Sequence, residues 1–386
     1  MKNSEEKRVV LLVDDAPANI QVVNSILKDD YRVRIATNGA KALDLASSSP
    51  APDLILLDVM MPEMDGYEVC TRLKAASQTR DIPVIFLTGK IEAEDETRGF
   101  QVGAVDYIHK PFSPPVVKAR VETHLMLRDA REQLARQLSA LNAELEMARQ
   151  IQLSILPHET PQIDGLEIHA RYVPMSSVAG DFYDFIVVDP QHVGILVADV
   201  SGHGLPAALI ASMLQVALSA QHSHASKPQK VLSGLNQALC GKFQSNFVTA
   251  AYLFVDLAKR VLQYAGAGHP PMLMWSESSR TVREISENGM VLGLFPEAGY
   301  GSVEVEVGAG DRCLLYTDGI VEAPNSSSEQ FGNDRLKEFL ESNSHIAGNQ
   351  FAEKLLEKLA GWSELQAGET HSDDITVLTA SFGKRP

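Results

Sequence analysis

The chain has 386 residues, enough for two domains, and its apolar fraction of 45% is ordinary for a packed globular protein. A net charge of −16 argues against a nucleic-acid surface, and −12 of it falls in residues 158–386. No apolar run reaches the roughly 18 residues of a membrane span, and the start MKNSEEKR is unlike a secretion signal. Cys70, Cys240 and Cys313 are scattered without metal spacing, as expected of buried thiols in a cytoplasmic protein.

From residue 5 to about 118, apolar strands alternate with helical patterns. VVLLVDD precedes a helix over Ala18–Asp29, and RVRIAT precedes one over Gly39–Ser48. DLILLDV, a helix near Gly66–Ala76, IPVIFLTG and VDYIHKPF follow. Continuous β-branched runs separated by helices predict a doubly wound α/β domain with a parallel sheet covered on both faces. Ligands of such sheets bind beyond the carboxyl ends of the strands, where Asp14, Asp15, Asp58, Thr88 and Lys110 fall. Three acids beside a hydroxyl and a lysine suit a Mg2+ ion next to a reactive carboxylate.

Those five residues in that order, with the MPEMDG loop and the Lys110–Pro111 step, resemble the receiver domain of two-component response regulators. The resemblance implies that Asp58 accepts a phosphoryl group from a cognate histidine kinase, and that Asp14 and Asp15 join Asp58 in holding Mg2+. It further implies that Thr88, Tyr107 and Lys110 form the switch, and that the Lys110–Pro111 bond is cis.

Residues 119–157 form the expected linker. Leu127, Leu134, Leu138, Leu141, Leu145 and Ala148 follow an a/d heptad spacing with polar flanks, uninterrupted by Gly or Pro until Pro157. This predicts a helical coiled coil and a homodimer, the alternative being an amphipathic helix lying on one domain. At its end, Ile151, Leu153, Ile155 and Leu156 are expected to dock on the next domain.

Residues 158–386 group strands and long helices, the latter over Leu205–Gln221 and Gln229–Phe243, which predicts an α+β sandwich with the sheets inside. Acids recur at strand ends beside glycines: Asp181 and Asp184 in GDFYD, Asp199 in DVSGHG, Asp318 and Glu322 in YTDGIVEA, Asp373 and Asp374 in DDIT. Asp181, Asp199, Asp318 and Asp373 cannot be left bare near a core, and the motifs hold no Lys or Arg to pair with them. All-oxygen donors favour magnesium or manganese, and two such ions activate water against a phosphorus.

These motifs, with GHPP and LGL between them, resemble the metal-dependent type-2C (PPM) serine/threonine phosphatases over about residues 165–382, and fit the SpoIIE-like branch best. The resemblance implies an α-β-β-α sandwich holding two Mn2+ or Mg2+ ions. Asp199 would bridge both ions and the Val200 carbonyl would bind one. Asp318 and Asp373 would bind the second, and Asp181 would hold metal-bound water. His203 would shape its turn, His269 would order a loop, and Asp184 and Asp374 would support the site. Ala179 stands where many relatives have glycine. The implied substrate is a phosphorylated protein, an anti-sigma-factor antagonist in a partner-switching pathway, with no nucleic acid or membrane partner. The alternative is a non-catalytic adaptor that delivers a sigma factor for proteolysis.

Overall fold

The computed structural model describes residues 7–89, 93–176, 178–243, 245–365 and 371–383. The chain divides into two compact units, residues 1–140 and 141–386.

The first unit alternates β1 (Val9–Val13), α1 (Pro17–Leu27), β2 (Arg32–Ala36), α2 (Gly39–Ala46), β3 (Leu54–Asp58) and α3 (Gly66–Ala75). It continues with β4 (Val84–Thr88), α4 (Ala93–Gln101), β5 (Asp106–His109) and α5 (Pro114–Ile155), a helix that runs on past residue 140. The strands are parallel in the order β2-β1-β3-β4-β5. Successive side chains of a strand point to opposite faces, so each apolar run feeds two cores. Leu11, Ile55, Leu57 and Phe86 pack with Ala42, Val69 and Leu73 of α2 and α3. Val10, Leu12, Leu56 and Ile85 pack with Val23 and Leu27 of α1 and with Val117, Val121 and Leu125 of α5. Burial of each such side chain contributes about 1.5–3 kcal/mol, which holds the strand ends rigid. The Lys110–Pro111 peptide is cis. Further along α5, Leu127, Leu134, Leu138 and Leu141 are each more than half exposed.

The second unit contains β6 (Leu166–Val173), β7 (Phe182–Asp189), β8 (His192–Val200), α6 (Leu205–Ser219), α7 (Pro228–Leu239) and β9 (Val248–Asp256). Then come β10 (Val261–Ala267), β11 (Met272–Ser276), β12 (Thr281–Ile285), β13 (Asn288–Gly289), β14 (Val303–Glu306) and β15 (Arg312–Tyr316). α8 (Gly332–Ser342), α9 (Gly348–Trp362) and β16 (Ile375–Phe382) complete it. One sheet runs β13-β10-β9-β8-β7, with β14 beside β10, and the other runs β12-β11-β15-β16-β6. Ile195, Val197 and Leu253 of the first sheet share a core with Ile168, Leu315 and Leu378 of the second and with α6 and α7. The alternate residues Leu314, Tyr316 and Val377 pack outward against Leu336, Phe339, Phe351 and Leu355 of α8 and α9. The result is the expected α-β-β-α sandwich.

In the β7–β8 hairpin, Val187 opposes Val193 and Asp189 opposes His192, which leaves Val188 without a partner in a bulge. Among the described residues, no helix is long and apolar enough to cross a membrane.

Candidate active site and phosphorylation site

At the carboxyl edge of the first sheet, β1, β3 and β5 deliver Asp14, Asp58 and Lys110 to one point. Asp14 is fully buried, and both its oxygens are engaged. Its Oδ1 accepts from the Ala16 amide (2.9 Å), Asn19 Nδ2 donates to both oxygens (3.0 Å each), and Lys110 Nζ donates to Oδ2 (2.9 Å). Lys110 Nζ also donates to Asp58 Oδ2 at 2.9 Å. Burial, opposed by the Lys110 bond and aided by the Asp14 charge, holds the Asp58 carboxyl above its ordinary range. The two carboxylates outweigh the effect of burial on Lys110 and raise its pKa. Oxygens of Asp14, Asp15 and Asp58 lie within 4.8 Å of one another, the geometry of a hard-cation site. A Cβ on Gly66 would stand 2.3 Å from the Asp58 carbonyl oxygen, so only glycine lets α3 start this close to the loop.

Thr88 ends β4 and is buried, and its carbonyl accepts from the Lys110 amide at 2.8 Å. Tyr107 is buried between the rings of Phe86 and Phe100, and a Cβ on Gly99 would meet its hydroxyl at 1.6 Å. Asn19 is the member of this set that sequence reasoning missed. Its signal was an amide one turn into α1, on the helix face toward the acids.

In the second unit, the ends of β7 and β8 in one sheet meet the ends of β15 and β16 in the other. Asp181 precedes β7, Asp199 is the next-to-last residue of β8 and pairs with Thr249 of β9, Asp318 follows β15, and Asp373 precedes β16. Asp181 is 1% exposed, and its Oδ2 accepts from the hydroxyls of Thr317 (2.8 Å) and Thr376 (2.7 Å) of the opposite sheet. Asp374 accepts from the amides of Met175 and Gly180, both at 2.7 Å, and so ties the approach to Asp181 onto the start of β16. Two glycines allow the close approach. A Cβ on Gly319 would stand 2.1 Å from the Asp374 carbonyl oxygen, and one on Gly180 would stand 2.8 Å from that of Val200. The motif glycines therefore bring the acids together.

The electrostatics follow from that crowding. Burial, with the charges of Asp318, Asp373 and Asp374, pushes Asp199 up to about 7. Burial, with Asp373 and Glu322, pushes Asp318 to about 6. Asp181 is driven well above the carboxylate range by burial and then by Asp199. Among the described residues no Lys or Arg forms an ion pair with any of these acids. Asp181 is buried, Asp199 and Asp318 are half-buried and Asp373 is exposed. Such an all-carboxylate set without a paired Lys or Arg fits divalent metal ions of the Mg2+ or Mn2+ kind. These acids are spaced more widely than the receiver trio, which among the described residues forms the one group this tight.

Other motif residues divide by position. Asp184 is raised by burial, takes the Phe185 amide, and is not among the acids that act on Asp199. The charge of His203 lowers the Asp374 pKa, which puts His203 beside the cluster. His269 is buried and neutral, its pKa lowered to about 3 by burial. Its Nδ1 pairs with Thr249 Oγ1 at 2.9 Å, and its carbonyl accepts from Asn288 Nδ2. Ser201 Oγ accepts from the Phe247 amide, a turn-stabilising bond. At the end of α5, Leu156 is buried and Ile155 half-buried, but the docking expectation needs correction for Ile151 and Leu153, which are 61% and 40% exposed. The residue buried at that turn is Gln152, which apolar periodicity had passed over.

A family model for stage II sporulation protein E (SpoIIE) matches residues 189–383, just over half the chain, and one for the response regulator receiver domain matches residues 10–122. Phosphoserine phosphatase RsbU of Bacillus subtilis is 29% identical over 239 residues, covering 62% of this chain and 70% of RsbU. Phosphoserine phosphatase RsbP of the same organism is 33% identical over 204 residues, covering 52% of this chain and 49% of RsbP. A probable cyclic di-GMP phosphodiesterase of Vibrio cholerae is 46% identical over 136 residues, covering 35% of this chain and 31% of that protein. The chain thus spans between about a third and 70% of the length of these three relatives. Among solved structures, the SiaA-PP2C domain of Pseudomonas aeruginosa aligns with a TM-score of 0.57 at 25% identity, covering 64% of this chain and 99% of that one.

Proposed function

The chain belongs to the SpoIIE family of phosphatase domains and carries an N-terminal response-regulator receiver domain, and from that premise we propose that it removes phosphate from phosphoserine or phosphothreonine on a protein, under the control of Asp58. The observation that carries this reading is the crowding of Asp181, Asp199, Asp318 and Asp373 at one end of the sandwich with no Lys or Arg paired to them among the described residues. In this reading Asp199 and the Val200 carbonyl, with Asp318 and Asp373, hold two divalent ions, and Asp181 orients a water. When bound, the ions polarise the phosphate ester and neutralise the charge that develops as water attacks. Thr317 and Thr376 fix the Asp181 carboxylate, since a buried acceptor with two donors has one preferred orientation. Asp374 fixes the backbone on either side of Val178.

In the receiver, a cognate histidine kinase supplies the phosphoryl group to Asp58. Asp14, Asp15 and Asp58 hold Mg2+, and Lys110 stabilises the added charge, with Thr88 and Tyr107 reporting it. The substrate proposed from family resemblance is an anti-sigma-factor antagonist, and the proposed assembly is a homodimer through α5.

The test is hydrolysis of a phosphoserine peptide with Mn2+, with and without beryllofluoride, in the full chain and in Asp58→Ala. Asp199→Ala and Asp318→Ala are expected to lose at least about 100-fold in turnover, the upper end of what losing a supporting group costs a metal site. Beryllofluoride should change turnover only when Asp58 is present. Tight stoichiometric binding of a sigma factor without metal-dependent turnover would favour the adaptor reading instead.

A further inference from the structure

One polar side chain joins the last turns of α5 to the approach of the acid cluster. Gln152 is 6% exposed. Its Nε2 donates to the Ala179 carbonyl at 2.6 Å, and its Oε1 accepts from the Ala179 amide at 3.0 Å. A single side-chain amide therefore satisfies both backbone groups of one residue, as a neighbouring strand would. The adjoining residue, Gly180, donates to Asp374 Oδ2 and is followed by Asp181. On the other side, Ser176 Oγ donates to the Val178 carbonyl at 2.7 Å. The segment Val178–Asp181 is thus held from α5 through Ala179 and from β16 through Gly180. On the same face Ala148 and Ile155 are half-buried and Leu156 is buried, while Ile151 and Leu153 are exposed, so the Gln152 amide is the polar part of the α5 hold and the part that engages the Ala179 backbone.

We propose that Gln152 is a positioning residue for the phosphatase site: through Ala179 and Gly180 it sets where Asp181 and Asp374 stand, and hence how tightly the acids hold metal. The inference rests on the reading of the acids as metal ligands. Removing the Gln152 amide leaves two buried backbone groups unpaired and frees the segment to shift, while the core contacts of Leu156 remain. Replacing it with glutamate keeps an acceptor for the Ala179 amide but sets a carboxylate against the Ala179 carbonyl, so one of two bonds survives.

The experiment compares the full chain with Gln152→Met, which conserves volume, and with Gln152→Glu. Three quantities are read: Mn2+ binding by calorimetry, hydrogen exchange of the Ala179 and Gly180 amides in metal-free protein, and the Mn2+ dependence of phosphoserine-peptide turnover. In Gln152→Met the two amides should exchange faster and Mn2+ should bind about 10-fold or more weakly, the cost usual for losing a group that orients metal ligands. The Mn2+ needed for half-maximal turnover should rise in parallel, with turnover at saturating metal largely restored. Gln152→Glu should fall between wild type and Gln152→Met, and it carries the test alone if the methionine variant does not fold. Unchanged Mn2+ affinity in the variants overturns the proposal, whether turnover is normal or is lost in a way that metal cannot restore. If the wild type shows no turnover while the variants bind Mn2+ more weakly, positioning by Gln152 stands and the phosphatase reading fails.

Discussion

Asp199 closes a buried strand beside three other carboxylates, and its proton affinity records the fact. Its pKa stands at about 7 in the folded protein against 3.8 for the free side chain. Below the lower value the proton is bound in both folded and unfolded chains. Between the two values the folded protein keeps a proton that the unfolded chain has released, so this stabilisation is present in acid and is lost as pH rises through about 7. Asp318, at about 6, acts with the same sign over a narrower window. Metal-free protein should therefore melt at progressively lower temperature from about pH 5 to about pH 8, and Asp199→Asn should flatten that slope and melt higher than wild type at neutral pH. Scanning calorimetry in the presence of a chelator measures both, and parallel slopes for the two proteins would refute the assignment. Metal binding displaces the same protons, so Mn2+ should reverse the trend.

At the level of elements, the site is built from strand ends and the turns that follow them. Gly319 is the clearest case, because its missing side chain is what lets the turn after β15 close on the backbone before β16. Gly319→Ala must move one of the two turns, and should destabilise the protein by about 1–3 kcal/mol, the usual cost of overpacking. It should also raise the Mn2+ requirement, and thermal melts with metal titrations check the pair. This construction explains what could be read from the sequence. An apolar run ending in Asp, then glycine, marks both the strand and the reason its last residue is reachable, so Asp58, Asp199 and Asp318 stood out in the sequence. Gln152 and Asn19 did not, because each is a polar residue in an ordinary helical stretch whose partner, 27 residues away for Gln152 and five for Asn19, no apolar pattern marks. Ile151 and Leu153 misled for the converse reason: their chemistry suits a core that the local turn of α5 does not offer them. Helices α8 and α9 also escaped notice, lying between motifs in charged sequence whose apolar face shows only against the second sheet.

For the whole molecule, α5 carries a row of exposed leucines. Leu127, Leu134, Leu138 and Leu141 share the heptad stripe, and each contributes about 1.5–3 kcal/mol once removed from water. The full chain should sediment as a dimer, and a Leu134→Glu, Leu141→Glu double variant should sediment as a monomer with an unchanged circular dichroism spectrum. A monomeric wild type would remove α5 from the assembly. The bulge in the β7–β8 hairpin has a different consequence, one for solubility. β7 ends its sheet, and Val187 and Val188 stand 48% and 43% exposed on it, an invitation to strand addition by a neighbouring molecule. The unmatched Val188 kinks the strand just before Asp189, so that the rim carries twist and charge where it would otherwise be flat and greasy. Deleting Val188 would straighten the ladder, and light scattering at elevated temperature should then show the protein aggregating sooner, although nothing near the acids had been touched.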